Sequence, residues 1–161
     1  MLSFYCIACY MNYCHPMTFT RTTSPGYLTN HLARLFAQGL QARIRPLGLS
    51  TGTFPIMLQL WERDGRSQRE LVDALGIEQA TVANSLNRME RDGLIARRPD
   101  DHDGRIKRTW LTERGRSLHA PAVAAAEAVN EDALAGLSPH ERADLVRLMT
   151  RAIAGFGKTQ V

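Results

Sequence analysis

Apolar residues recur along most of this chain at the three-to-four-residue spacing of helices that bury one face. Leu28, Leu32, Leu35, Phe36, Leu40 and Ile44 form a broad stripe between Tyr27 and Arg45, and Pro46 with Gly48 stops it. Phe54, Met57, Leu58 and Trp61 form the next stripe, with Ser50 or Thr51 as its cap. Pro55 falls in the first turn, where its missing N–H has no helical partner to lose. Asp64-Gly65 ends that helix. Ser67-Gln68-Arg69-Glu70 then has the form of a capping box, opening a short helix with Leu71, Val72 and Leu75 inward and Gly76 at its end. Gly76-Ile77 leaves almost no room before the next helix, 78–92, in which Val82, Leu86 and Met89 share one face. Ala80, Asn84, Asn87 and Arg91 lie near the centre of the other. Two short helices joined this tightly carry the helix-turn-helix signature.

Beyond Gly93 the period shortens. Ile95 to Pro99 and Lys107 to Leu111 read as strands flanking the polar loop Asp100 to Arg105. A helix followed by a basic β-hairpin suggests DNA reading. Thr112 next caps an Ala-rich helix carrying Leu118, Ala122, Ala126, Val129 and Ala133 on one side, which Pro121 either bends or truly begins. Ser138-Pro139-His140-Glu141 is a second capping box, and Leu145, Leu148, Met149, Ala152, Ile153 and Phe156 follow at helical spacing. A small winged domain does not need these last two helices to close its own core. A partner subunit covering their apolar faces, and that of the first helix, is the simpler explanation.

At 161 residues and 18.0 kDa the chain suffices for one compact domain, or for a small domain with a dimerisation extension. A net charge of +4 permits a polyanionic partner without demanding one. The distribution says more than the total. Between Arg88 and Arg116 stand nine Lys/Arg (Arg88, Arg91, Arg97, Arg98, Arg105, Lys107, Arg108, Arg114, Arg116) against six acids. On charge alone this is equally well a solvated mixed-charge surface. No run reaches the roughly 18 apolar residues of a membrane span, and MLSFYCIACYM lacks the basic flank and cleavage site of a signal peptide, so a soluble cytoplasmic protein is expected. Residues 1–24 differ from the rest, holding Cys6, Cys9 and Cys14 and no charge before Arg21. A natural start at Met17 is one explanation. The Cys6, Cys9, Cys14 and His15 cluster offers zinc or redox chemistry, but its fourth ligand sits beside the third, and a flexible or loosely docked tail is the competing reading.

The run LVDALGIEQATVANSLNRMERDGLIARR, followed by Asp103-Gly104-Arg105 and then Leu111-Thr112-x2-Gly115, resembles the MarR/SlyA family of bacterial winged helix-turn-helix regulators. The resemblance covers roughly Tyr27 to Phe156 and is nearest the SlyA branch. It implies a mainly α (α+β) fold with a winged helix-turn-helix lobe over 50–112, and with helices over 25–48 and 113–157 intertwined in a homodimer. It also implies a repressor role: two recognition helices, 78–92, entering successive major grooves of an inverted-repeat operator in double-stranded DNA, with wings over 99–108. By that resemblance Gln79, Ala80, Thr81, Asn84, Ser85 and Arg88 meet bases and phosphates, with Ser67, Gln68 and Lys107 as further contacts. Arg105 matches the wing arginine that enters the minor groove, and Asp103 the acid that positions the loop. Asn84 departs from the branch, which carries arginine there. Arginine reads guanine and asparagine reads adenine, so the expected half-site has adenine at that position.

Many members of the family release DNA on binding small aromatic acids or phenols between the dimerisation helices and the lobe. His31, Phe36, Leu40, Arg43, Phe54, Met57, Leu58 and Trp61 lie on the elements that would line such a site, with His31 and Arg43 placed to meet a carboxylate. For Met57 and Leu58 ordinary core packing is the better reading. No cofactor is expected, nor an enzyme: His102, His119 and His140 have no nucleophile or second carboxylate in a recognisable arrangement. Asp100, Asp101, His102 and Asp103 suggest a metal on composition, yet a loop between basic strands makes them turn residues first. The remaining alternatives are a winged-helix module that binds protein and a redox-sensing regulator that uses Cys6, Cys9 and Cys14.

Overall fold

The computed structural model describes residues 20–157. Cys6, Cys9, Cys14, His15 and the alternative start at Met17 lie outside the described residues. The helices are α1 (Pro25–Ile44), α2 (Phe54–Glu62), α3 (Gln68–Leu75), α4 (Gln79–Arg91), α5 (Glu113–Ser117), α6 (His119–Ala133) and α7 (Pro139–Gly157). The strands are β1 (Arg66–Ser67), β2 (Ile95–Pro99) and β3 (Lys107–Leu111). The chain divides into two compact units after Leu35. In the first, the Thr20 carbonyl accepts from the Thr23 and Ser24 amides, and Tyr27 stacks with His31 one turn on at 6.3 Å.

The second unit is built on one apolar cluster. Leu60, Leu71, Leu86 and Met89 are fully buried, so α2, α3 and α4 each commit one face to it. β2 and β3 close it with Ile95 and Leu111, which pair across the ladder. The three strands lie antiparallel in the order β1-β3-β2. β1 is a two-residue bridge that joins Arg66 and Ser67 to Thr109 and Arg108, and no sequence period announces so short a strand. Among the described residues, no helix is long and apolar enough to cross a membrane.

Two helix starts differ from expectation. The N-cap of α2 is Thr53, neither Ser50 nor Thr51, and it caps without a side-chain bond to the helix. Its hydroxyl is bound instead to the Ser50 backbone, donating to the carbonyl at 3.1 Å and accepting from the amide at 3.2 Å. Thr112 caps a five-residue helix, not the Ala-rich one: its Oγ1 accepts from the Gly115 amide at 3.0 Å, and the helix ends at Leu118. Pro121 explains the break. It has no N–H to offer the Ser117 carbonyl four residues back, so the continuous helix is interrupted and α6 restarts at His119 with proline in its first turn. The capping boxes fall where the sequence puts them, with the Ser67 amide donating to Glu70 at 2.7 Å and the Ser138 amide to Glu141 at 2.8 Å.

Candidate nucleic-acid interface

Helix α4 presents a polar face because its apolar residues are spent on the core. Val82, Leu86 and Met89 are buried, while Gln79, Ala80, Thr81, Asn84, Asn87 and Arg88 are exposed and Ser85 is half-buried. Gly76, at φ 62°, ends α3 in the left-handed conformation that a residue with a side chain adopts only at a cost, and this lets α4 start within three residues. Ser67 and Gln68, at the start of α3, are half-buried. The Ser67 hydroxyl is occupied as the cap, accepting from the Glu70 amide at 3.3 Å, and its own amide, then its hydroxyl, hold the Glu70 pKa below the usual carboxylate value.

The wing turn is tied by two aspartates. Asp100 Oδ1 accepts from the amides of His102 at 2.9 Å and Asp103 at 3.1 Å, and Oδ2 accepts from Arg108 Nε across the base of the hairpin. Asp103 Oδ1 accepts from the Arg105 amide at 3.0 Å, so this acid shapes the loop through the backbone and leaves the Arg105 guanidinium alone. Asp100, Asp101, His102 and Asp103 therefore serve as turn residues, as composition and context suggest.

Hydrogen bonding sorts the nine cations of this region into two groups. Arg97 Nε is bound to Glu90 at 3.0 Å and its Nη2 to Asn87 Oδ1 at 2.8 Å, which fastens β2 to α4. The Arg97 side chain, chiefly, holds the Glu90 pKa down. Arg108 donates to Asp100 and to the Gly65 carbonyl at 2.9 Å, Arg114 to the Asp92 carbonyl at 2.9 Å, Arg116 to Asp64 at 3.0 Å, and Arg91 to its neighbour Asp92 at 3.3 Å. Arg88, Arg98, Arg105 and Lys107 are exposed, and their side chains make no bond to any described residue. In the sequence Arg98 is only one of nine cations between Arg88 and Arg116, and Asp100 only a turn former. Strand register on β2, which sends Arg97 and Arg98 to opposite faces, is the signal that separates the tied cation from the free one.

The residues nominated for an effector differ in burial and in partners. Met57 is fully buried and Phe54 is 6% exposed, both in the core; Phe36 and Leu40 are half-buried and Leu58 is exposed. Arg43 is engaged by Asp132. His31 belongs to the first unit, where its Nδ1 lies 3.1 Å from Arg34 Nη2. Trp61 alone of this set lines a described cavity, of about 260 Å³, with Leu60, Asp64, Leu111, Arg116 and His119. Its indole N–H donates to the Gly115 carbonyl at 2.9 Å and its ring lies 5.1 Å from that of His119.

A tight helix pair, a core-facing second helix with a polar outer face, and a β-hairpin closed by a third short strand define a winged helix-turn-helix protein. The sequence profile of the MarR family matches residues 47–106. The transcriptional regulator HosA of Escherichia coli O157:H7 is 32% identical over 103 residues, which cover 64% of this chain and 76% of HosA. The chain belongs to the MarR family of transcriptional regulators. Among solved structures, a MarR regulator from Methanosarcina mazei Go1 superposes with a TM-score of 0.78 at 25% identity, covering 84% of this chain and 97% of its own. BpsR of Bordetella bronchiseptica, whose DNA binding is regulated by 6-hydroxynicotinic acid, gives 0.76 at 27% identity over 83% of this chain and 96% of its own.

Proposed function

We propose that this regulator binds inverted-repeat operator DNA as a homodimer and acts as a repressor. The observation that carries the reading is a set of four cations, Arg88, Arg98, Arg105 and Lys107, that form no side-chain hydrogen bond or ion pair among the described residues, on the helix and hairpin whose other arginines, Arg91, Arg97 and Arg108, each form one. A solvated mixed-charge surface has no need to hold five arginines in place and leave these free. Phosphates release counterions when they meet such cations, which gives steep salt dependence. In the proposal Gln79, Ala80, Thr81, Asn84 and Ser85 meet base edges or adjacent phosphates from the major groove. Ser67 and Gln68 approach the backbone at the start of α3, Asp103 shapes the loop, and Arg105 enters the minor groove with Lys107 beside it.

The dimer proposal rests on apolar surface. On α7, Val146, Leu148, Met149, Ile153 and Phe156 are 59%, 52%, 42%, 70% and 79% exposed. Leu28 and Leu35 of α1 are 46% and 50% exposed. A contiguous stripe of that kind on a helix is the face a second subunit covers. The segments 25–48 and 113–157 would form the dimerisation part and 50–112 the DNA-binding lobe.

An aromatic acid is the effector class we propose, by similarity to BpsR. The cavity at Trp61 and His119 supports it: it pairs stacking surfaces with Arg116, next to the α5–α6 break. An effector there acts by preferring a dimer whose recognition helices are wrongly spaced for the grooves, which requires different affinities for the two states. Footprinting the promoter beside this protein's own gene, with a titration of the same duplex from 50 to 200 mM salt, tests the main reading. A protected inverted repeat and salt-sensitive binding are expected. Absence of binding to that duplex and to nonspecific DNA at 50 mM salt would favour a protein-interaction module instead.

A further inference from the structure

The outer face of the wing carries a second cavity, whose lining shares only Arg98 with the cations of the DNA reading. It measures about 530 Å³, within the range of small-molecule pockets. Strand alternation places it: Arg97 and Thr109 turn toward α4 and the core, so Arg98, Arg108 and Trp110 occupy the opposite face of the hairpin. Arg63, Asp64 and Gly65, after α2, supply the second wall, and Pro99 to His102 of the wing turn the third.

Trp110 is the fixed element. A Cβ on Gly65 would lie 2.6 to 2.9 Å from three carbons of its ring, so the indole rests directly on the Gly65 backbone, which itself turns at φ 74°. The ring is therefore held from one side while the residue stays 38% exposed and lines the cavity. An exposed tryptophan so anchored is a stacking surface whose ordering cost has been met on folding.

The charges lining the cavity divide as they do elsewhere in the wing. Arg108 is committed to Asp100 and the Gly65 carbonyl, Arg63 to Glu70, and Asp64 to Arg116 and two backbone amides. Arg98 has no partner among the described residues, and the side chains of His102 and Asp101 make no bond there either. Arg98 pairs with Arg108 in the ladder, so it sits diagonally from Trp110 on the same face, as a neighbour roughly 7–8 Å away and somewhat nearer between Cβ atoms. A flat ring on the indole can thus extend a carboxylate into the guanidinium fork, the geometry that fork matches best.

We propose that this outer wing cavity binds a planar aromatic carboxylate, stacked on Trp110 and paired with Arg98, at a site separate from the Trp61 cavity. Asp101 adds an anion to the lining, where it acts on Arg108, and it disfavours a polyanion relative to a ligand with one carboxylate directed at Arg98. Occupancy would also withdraw a free cation from the wing and rest against the turn that carries Arg105. That consequence alone depends on the DNA reading, whereas binding does not.

The two tryptophans of the chain, Trp61 and Trp110, line two cavities that share Asp64 alone, so the indole with the larger saturable shift marks the occupied one. In proton–nitrogen correlation spectra of the full-length protein, with indole signals assigned by Trp61→Phe and Trp110→Phe, benzoate is titrated and benzamide serves as the uncharged control. A saturable shift of the Trp110 indole signal with benzoate is expected, with benzamide binding at least about tenfold more weakly. Arg98→Gln should weaken benzoate to the benzamide level while the rest of the spectrum stays folded. A Trp110 signal that does not respond in a saturable way, or an Arg98→Gln protein that titrates like the parent, would overturn the proposal. A response of Trp61 alone would overturn it and leave the effector reading standing.

Discussion

Asp100 and Arg108 close the base of the wing, the carboxylate accepting from the guanidinium Nε while it also holds the amides of His102 and Asp103. Arg108 first, and then those two amides, lower the Asp100 pKa from 3.8 to about 2, and the same contact raises that of Arg108. A depressed carboxylate contributes stability that is fully present above its unfolded value and is lost as pH falls through its folded value. Glu70, Glu90 and Glu141 shift in the same direction, so the whole protein should lose stability below about pH 4.5. Asp100→Asn should lack the portion of that loss falling between pH 3.8 and about 2. Thermal unfolding followed by circular dichroism from pH 2 to 7 checks this, and parallel acid limbs for the two proteins would contradict it.

Among the described glycines, Gly115 makes the closest approach to another backbone atom. A Cβ there would lie 2.2 Å from the Leu94 carbonyl oxygen, a backbone atom that cannot swing away, and the Gly115 carbonyl accepts from Trp61. Gly115→Ala should therefore cost about 3 kcal/mol or more in urea unfolding, as overpacking against backbone does. Gly136→Ala, where a Cβ meets nothing within 4 Å, is the control and should change stability by less than about 1 kcal/mol.

In the proposed homodimer the exposed stripe of α7 is the seam. Ile153→Glu and Phe156→Glu place charge on positions that are 70% and 79% exposed in one chain. Neither should disturb the fold of the lobe, yet each should convert the dimer to monomer in light scattering coupled to gel filtration. A dimer unchanged by both substitutions would place the interface elsewhere.

Asn84 governs sequence preference in this account. It is exposed on α4 at a position where the SlyA branch, by resemblance, carries arginine. Operators varied through all four base pairs at the corresponding half-site position should be ranked with A·T first by the parent protein, and the preference should collapse to within about 1 kcal/mol in Asn84→Ala. The same ranking in both proteins would remove Asn84 from base reading.

Most of this fold could be read from residues whose effects are local. Val82, Leu86 and Met89 are buried as their spacing requires, and the Ser67 and Ser138 capping boxes form because serine and glutamate satisfy each other across a single turn. The parts that escaped depend on distant partners. Thr53 replaces Ser50 or Thr51 as the cap because the loop before α2 binds itself, and the Thr51 amide is taken by Gln41 Oε1 at 3.0 Å. Pro121 carried the signal for the break at Leu118, and the sequence left open whether the helix bends or restarts there. The site was legible in outline through the Asp103 and Arg105 spacing. Which arginines were free was not, because Arg97 and Arg98 are alike in sequence, and only strand register sends one to Glu90 and leaves the other unbound. Helical spacing likewise cannot tell a core position from a surface one: core packing was the better reading for both Met57 and Leu58, and Met57 is buried whereas Leu58 is exposed.

The central claim is that the uncommitted cations of α4 and the wing meet DNA phosphates. Its most direct test is the slope of log affinity against log salt on one operator duplex for the parent and Arg105→Ala. The account predicts weaker binding with the slope reduced by about 0.9, one phosphate contact. Equal affinity and an equal slope would contradict it.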